Sequence, residues 1–384
     1  MNSGCPEYKP RREQPGDADG RDQRKEGAFV GFRESDPPIV VGDGKAVHMA
    51  KGRADRQSGQ STHARERNTP KRSVSSTLSA LGAKARREPG HRFRGLARLL
   101  DRQMLGEAFA RLRKRAAAGI DGVRHAEYAE NLEENLVKLE RRLKHGQYRA
   151  RSVRRRWIPK PGGRKLRPLG IPVVEDKIVQ QAVGMILGAI WEEDFVDESI
   201  GYRPGRGARE TVLGLREELN GGTYRWVVEA DIRGYFENID HDWLVKMLEQ
   251  RIADRGMVRL IAKWLKAGIL EEDGRTVNPE TGTPQGGVIS PVLANIYLHY
   301  VQDLWIRKVV TKRSGGRVLF RRYADDSVVC FEREDDARWY LRELRGRLAK
   351  FNLQLADEKS ALVKFNRWES AASGKFTFLG FDFY

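Results

Sequence analysis

The sequence predicts an α+β fold: a small antiparallel sheet backed by helices, behind a disordered N-terminal extension. Three observations predict it. Apolar runs, Val318-Leu319-Phe320 and Val328-Val329-Cys330-Phe331, flank the polar turn Tyr323-Ala324-Asp325-Asp326, which reads as a β-hairpin. Tyr224 to Asp231 alternates, with Trp226, Val228 and Ala230 on one face and Val227, Glu229 and Asp231 on the other. Segments between these strands carry helical spacing and would cover the back of the sheet.

Composition narrows the partners. The 384 residues hold 39% hydrophobic and 32% charged residues, with a net charge of +18. Such an excess of Lys and Arg points to a polyanion, either nucleic acid or an anionic membrane surface. No apolar run reaches the ~18 residues that span a bilayer, and the N-terminus lacks the apolar core of a signal peptide. The expectation is therefore nucleic acid and no membrane. Cys5 and Cys330 are the two cysteines and have no metal-type spacing, which fits a reducing, cytoplasmic location without disulfides.

Residues 1–92 are dominated by Asp, Gly, Ser, Arg, Lys and Gln. With so little apolar surface to bury, this extension is expected to be disordered. Residues 93–384 form the folded domain. Leu105, Ala108, Phe109 and Leu112 mark a first helix, and Leu132, Leu136, Leu139 and Leu143 a second, which Gly146 ends. Arg151 to Trp157 reads as extended and basic. In Ile158 to Pro172, prolines rule out a helix and Gly162-Gly163 suits a hairpin tip. Lys160, Arg164, Lys165 and Arg167 would project from it. They would grip a triphosphate or touch a nucleic-acid backbone, and the residues leave both open.

Asp176 to Trp191 is a mostly apolar helix. Gly201 to Gly207 is a basic, Gly-rich loop, either a phosphate cradle or a plain connection. It leads into a helix bearing Val212, Leu215 and Leu219. Asp240 or Asp242 caps the helix after the Asp231 strand. Asp273-Gly274 signals another hairpin. Ser290 and Pro291 read as N-cap and first residue of a helix that comes after the loop Gly282 to Gly287. Trp339 to Phe351 is amphipathic. Leu353 to Leu355 and Leu362 to Phe365 read as short strands with Lys359 between them, and Phe376 to Tyr384 as one alternating aromatic strand.

Two carboxylates at one hairpin tip repel, and each raises the other's pKa. A divalent cation removes that cost. With Asp231 ending a neighbouring strand, three carboxylates would hold two Mg²⁺ ions for nucleotidyl transfer.

At this point the sequence resembles the reverse-transcriptase fingers and palm of bacterial group II intron-encoded proteins, from about Leu105 to Tyr384. Ala118 to Gly122 resembles the family's N-terminal extension. Arg167 to Pro172 resembles its first fingers motif, and Gly201 to Arg206 the second. Asp231-Ile232-Arg233-Gly234-Tyr235-Phe236 resembles the first palm motif. Thr283 to Gly287 resembles the loop before the template-grip helix, Tyr323 to Asp326 the catalytic hairpin, and Phe378 to Phe381 the primer grip.

The resemblance implies a right-hand polymerase fold and RNA-directed DNA synthesis. Asp231 and Asp325 would hold two Mg²⁺ ions (with Mn²⁺ as a substitute), helped by the Ile232 carbonyl and supported by Asp326. Lys160 and Arg167 would hold the β- and γ-phosphates. Phe236 would be the steric gate against ribonucleotides, Gln285 would line the nascent pair, and Tyr323 would belong to the substrate site. Lys359 would be the general acid for pyrophosphate. Implied partners are an RNA template or intron RNA, a DNA or RNA primer, and deoxynucleoside triphosphates. The family continues into a helical thumb that is not seen here, so fingers and palm alone are expected. Three other readings compete: an RNA-binding, maturase-like splicing cofactor that keeps the palm as scaffold, a decayed truncated copy without polymerase activity, and a host-domesticated enzyme.

Overall fold

The computed structural model describes residues 73–159, 166–283, 286–365 and 374–384. Lys160, the Gly162-Gly163 tip, Arg164, Lys165, Gln285 and most of the 1–92 extension lie outside the described residues. Regular structure starts earlier than expected, with helix α1 (Val74–Arg87). Its Val74, Leu78, Leu81 and Ala85 recur at i, i+4, i+7 and i+11, which makes one apolar stripe for the main core. Disorder is therefore corrected for residues 74–87.

Helices α2 (Arg102–Ala110), α3 (His125–Glu130) and α4 (Leu132–Lys144) lead into strands β1 (Val153–Pro159) and β2 (Leu166–Ile171). Next come α5 (Val174–Trp191), α6 (Ala208–Asn220), β3 (Trp226–Ala230), α7 (His241–Glu249) and α8 (Arg255–Leu265). The short pair β4 (Ile269–Leu270) and β5 (Thr276–Val277) precedes α9 (Ser290–Leu298). Helix α9 runs on through π-helical turns at His299–Asp303 and Ile306–Val310 into α10 (Thr311–Arg313). The chain ends with β6 (Val318–Tyr323), β7 (Asp326–Phe331), α11 (Glu334–Lys350), β8 (Ala361–Lys364), β9 (Phe376–Phe378) and β10 (Phe381–Phe383).

One sheet has the order β6-β7-β3-β8, all antiparallel. The alternation expected along β3 holds. Val228 and Ala230 enter the large core, whereas Val227 enters a smaller one on the other face. The large core takes α5, α7, α9 and α11; the smaller one takes α6 and the β9–β10 hairpin. A second sheet, β2-β1-β4-β5, joins β1 to β4 in parallel. Asp240 caps α7 by accepting from Trp243 N at 2.8 Å.

Three local expectations need correction. Phe376 to Tyr384 is a hairpin, because Leu379 and Gly380 both take positive φ (53° and 79°) and turn the chain. Leu353 to Leu355 is no strand, only a single bridge from Leu355 to Ile232. The cap of α9 is Ile289, which puts Ser290 and Pro291 inside the first turn.

Candidate active site

The β6–β7 hairpin carries the acidic tip. Tyr323 pairs with Asp326, which leaves Ala324 and Asp325 as a two-residue turn. Ala324 sits at φ 58°, a conformation that a tight hairpin demands and that suits Gly better than Ala. Alongside, Ala230 pairs with Ser327, and one more step of that register sets Asp231 level with Asp326. Asp231, Asp325 and Asp326 thus gather at one end of the sheet.

Their electrostatics reflect that crowding. Burial raises the Asp325 carboxyl above its ordinary range, and the charge of Asp231 adds to it. Asp326 is pushed up to about 6, first by burial and then by Asp325 and Asp231. Lys359 Nζ donates to Asp231 Oδ2 at 2.5 Å, and that bond raises the pKa of the lysine. The Ile232 bridge is closed by Ala356 N donating to Asp231 O (2.8 Å) and Arg233 N donating to Gln354 O (2.9 Å). The Ile232 carbonyl itself accepts no hydrogen bond from a described residue.

Among the described residues, no three His, Cys, Asp or Glu side chains converge as a metal-ligand set. The fit to a divalent cation rests instead on two carboxylates, a main-chain carbonyl and their crowded charge, all hard oxygen donors of the kind Mg²⁺ takes. This has a pH signature. A carboxylate with a raised folded-state pKa adds stability below its unfolded pKa, ~3.9, and loses it as pH rises through the folded value. For Asp326 that window ends at about 6. Mg²⁺ should therefore raise the Tm near pH 8 and have little effect near pH 5, where protons already relieve the repulsion. Thermal melts with and without Mg²⁺ at the two pH values check this; an equal gain at both would remove the cluster as the binding site.

The tip is braced from beneath by Arg322, fully buried on β6. Its Nε and Nη2 donate to Asp303 Oδ1 and Oδ2 at 2.7 and 2.6 Å. Its Nη1 donates to Asn295 Oδ1 (3.0 Å) and Ala324 O (2.7 Å), and Nη2 also to Ser199 Oγ (2.6 Å). All five guanidinium N–H groups are satisfied. Asn295 Nδ2 in turn donates to Gly201 O at 2.7 Å. Gly201 must be glycine, because a Cβ there would overlap Ala324 N. The basic loop is thereby pressed onto the acidic turn.

A cleft of about 1000 Å³ opens beside the tip. Asp325, Phe236, Arg167, Trp157, Tyr202 and Gly286 are among its lining residues. Phe236 is backed by the Gly282 loop, where Thr283 N donates to Phe236 O at 2.8 Å and Gly282 O contacts His241 Nε2 at 2.7 Å. Gly286, at φ 100°, lets this loop approach β2, since a Cβ would lie 2.8 Å from Gly170 O. Arg167 projects from β2 and makes no ion pair with a described residue. Tyr323 packs against the smaller core and is not one of the cleft residues.

Sequence reasoning missed the brace. A signal was present: period two puts Arg322 on the same face as core residue Phe320. Asn295, His299, Gln302 and Asp303, at i, i+4, i+7 and i+8, form a matching buried polar stripe on the α9 helix.

Residues 158–383 match the family model described as reverse transcriptase (RNA-dependent DNA polymerase). The group II intron-encoded protein LtrA of Lactococcus lactis subsp. cremoris is 46% identical over 167 residues, 44% of this chain and 27% of that protein. Protein YkfC of Escherichia coli (strain K12) is 38% identical over 289 residues, covering 67% of this chain and 75% of that one. Nuclear intron maturase 1, mitochondrial, of Arabidopsis thaliana is 30% identical over 95 residues, 25% of this chain and 13% of that protein. The chain thus matches about a quarter of the length of the Lactococcus protein. The sheet bearing Asp231 and Asp325 is the palm, and the β1–β2 pair belongs to the fingers. Because the family model covers more than half of its length, the chain belongs to the reverse transcriptase family, on the branch of group II intron-encoded proteins and maturases.

Proposed function

We propose that the chain is an RNA-directed DNA polymerase of group II intron type, with a role in the splicing or mobility of its intron. One observation carries the reading: three carboxylates gather at the end of the palm sheet, beside a cleft that Phe236 and Arg167 also line. Reverse transcriptases work with divalent cations. Asp231, Asp325 and the Ile232 carbonyl would hold two Mg²⁺ ions, or Mn²⁺ in their place, with Asp326 in support. When bound, these ions supply the positive charge that activates a primer 3′-hydroxyl and steadies leaving pyrophosphate.

The chain's own residues do the positioning. Arg167, which no described carboxylate pairs, and Lys160 hold the β- and γ-phosphates. Lys359, which like any lysine is protonated at neutral pH, is the proton donor to pyrophosphate. Gln285 lines the nascent pair, and Tyr323 sets the hairpin that presents Asp325. The partners are an RNA template, which includes the intron RNA, a DNA or RNA primer and deoxynucleoside triphosphates.

Phe236 is the gate, its ring filling the space of a 2′-hydroxyl. Phe236→Ala should raise ribonucleotide use relative to deoxynucleotides by at least about tenfold, since the exclusion is steric. Single-nucleotide incorporation with matched ribo- and deoxynucleotides measures it, and an unchanged ratio would dismiss the gate. The polymerase reading itself is tested by primer extension on an RNA template with Mg²⁺. A folded chain that binds RNA and never extends a primer would favour the splicing cofactor instead.

A further inference from the structure

Tyr202 takes no part in the metal chemistry, yet its setting is unusual. It comes after Gly201 in the basic loop and holds φ 60°, a left-handed conformation that costs a non-glycine residue about 1 kcal/mol or more. The residue is 54% exposed and lines the same cleft as Asp325, Phe236 and Arg167. Its hydroxyl has no hydrogen-bond partner among the described residues.

Both flanks of Tyr202 are fixed. Gly201 is pressed against Ala324 and held by Asn295. Arg203 is buried and donates to Glu192 Oε1 (2.8 Å) and to the carbonyls of Val196 (2.6 Å) and Ser199 (2.5 Å). The strained backbone is therefore imposed by its neighbours, and its effect is to leave a large aromatic side chain on the wall of the cleft. Burial raises the pKa of the phenol, Asp325 and Tyr323 raise it further, and Arg167 opposes them. A phenol, with its ordinary pKa of ~10, keeps its proton at neutral pH, so the exposed hydroxyl is a donor.

We propose that Tyr202 is a nucleotide-contacting residue, whose ring packs against the incoming nucleotide and whose hydroxyl donates to its triphosphate. The inference rests on the reading of this cleft as the polymerase site. An aromatic ring supplies rigid contact area at low entropic cost, and a hydroxyl on a phosphate oxygen makes a charge-assisted bond.

Two variants of the full chain test it. Tyr202→Phe loses only the hydroxyl, and the KM for the deoxynucleoside triphosphate should rise about tenfold, the usual effect of losing a hydrogen bond to a charged group. Tyr202→Gly loses the ring too but accepts φ 60° without strain. Its Tm should not fall, while the KM rises further. In both, kcat and the affinity for primer–template should stay within about threefold, the pattern of lost ground-state binding. Calorimetric binding of dGTP to the chain with annealed primer–template repeats the comparison without turnover.

Unchanged KM and dGTP affinity in both variants would overturn the proposal, as would a loss confined to primer–template binding. Failure of the reading beneath it looks different: Asp325→Asn would then retain extension, or the unmodified chain would neither bind dGTP nor extend a primer, and the proposal would fall with it.

Discussion

Asp325→Asn should abolish primer extension, by about a thousandfold or more, without destabilising the protein. The change is nearly isosteric, so the hairpin keeps its shape. What disappears is one negative charge and, on the proposed reading, the carboxylate ligand of the cation that both reacting oxygens would need. A thousandfold loss corresponds to ~4 kcal/mol of barrier. The second half of the expectation comes from the pKa: burial and Asp231 already resist ionisation of Asp325. Removing a charge that the fold disfavours should leave Tm unchanged or higher, at about 2–4 °C per kcal/mol for a domain of this size. Activity and stability therefore move in opposite directions, as they do when a strained charge serves function. Extension within about tenfold of the unmodified chain would place catalysis elsewhere.

Arg322→Met should be the most destabilising single change at the site, by about 3–5 kcal/mol. Asp303 is fully buried, its carboxyl already raised by burial, and would lose its counter-charge, while Ser199, Asn295 and the Ala324 carbonyl would each lose a donor. The Tm should fall by ~10 °C. The double variant Arg322→Met/Asp303→Leu removes both charges and should recover most of that loss, because a well-packed apolar pair is often as stable as a buried ion pair. Its activity should not recover, since Ala324 and Asp325 would still lack their support. Denaturant melts of the single and double variants decide it. Equal stability of the two would mean that Asp303 finds another partner or a proton, and that the pair is not what holds the turn.

What could be read from the sequence divides along physical lines. β3 and the β6–β7 hairpin were legible because a half-buried strand alternates and because Asp marks turns. The carboxylate positions came with those two elements. Arg322 was also readable in principle, but a charge on a core face only becomes interpretable once its partner is known, and Asp303 lies on a different element. The parallel contact between β1 and β4 was hidden, since a two-residue strand has no periodicity to show. So was the turn at Leu379-Gly380, because leucine rarely adopts positive φ. Helix α1 was obscured for a third reason: its apolar stripe is interleaved with Ser, Lys and Arg that match the basic tail before it.

The strand order β6-β7-β3-β8 also sets when the site can exist during synthesis. Strand β3 is central, and both its neighbours, β7 and β8, are made long after it. Until the ribosome has passed Lys364, β3 presents an unpaired edge of Val and Trp, the kind of surface that seeks strands in other chains. Sheets built from such distant segments close slowly compared with helices. The helices on the N-terminal side can pack while translation continues, but Asp231 meets Asp325 and Asp326 only after β7 is made, about a hundred residues later. Nascent chains released before Val318 lack both β6 and β7, and should therefore accumulate as helical, aggregation-prone species in which Asp231 has no acidic neighbour.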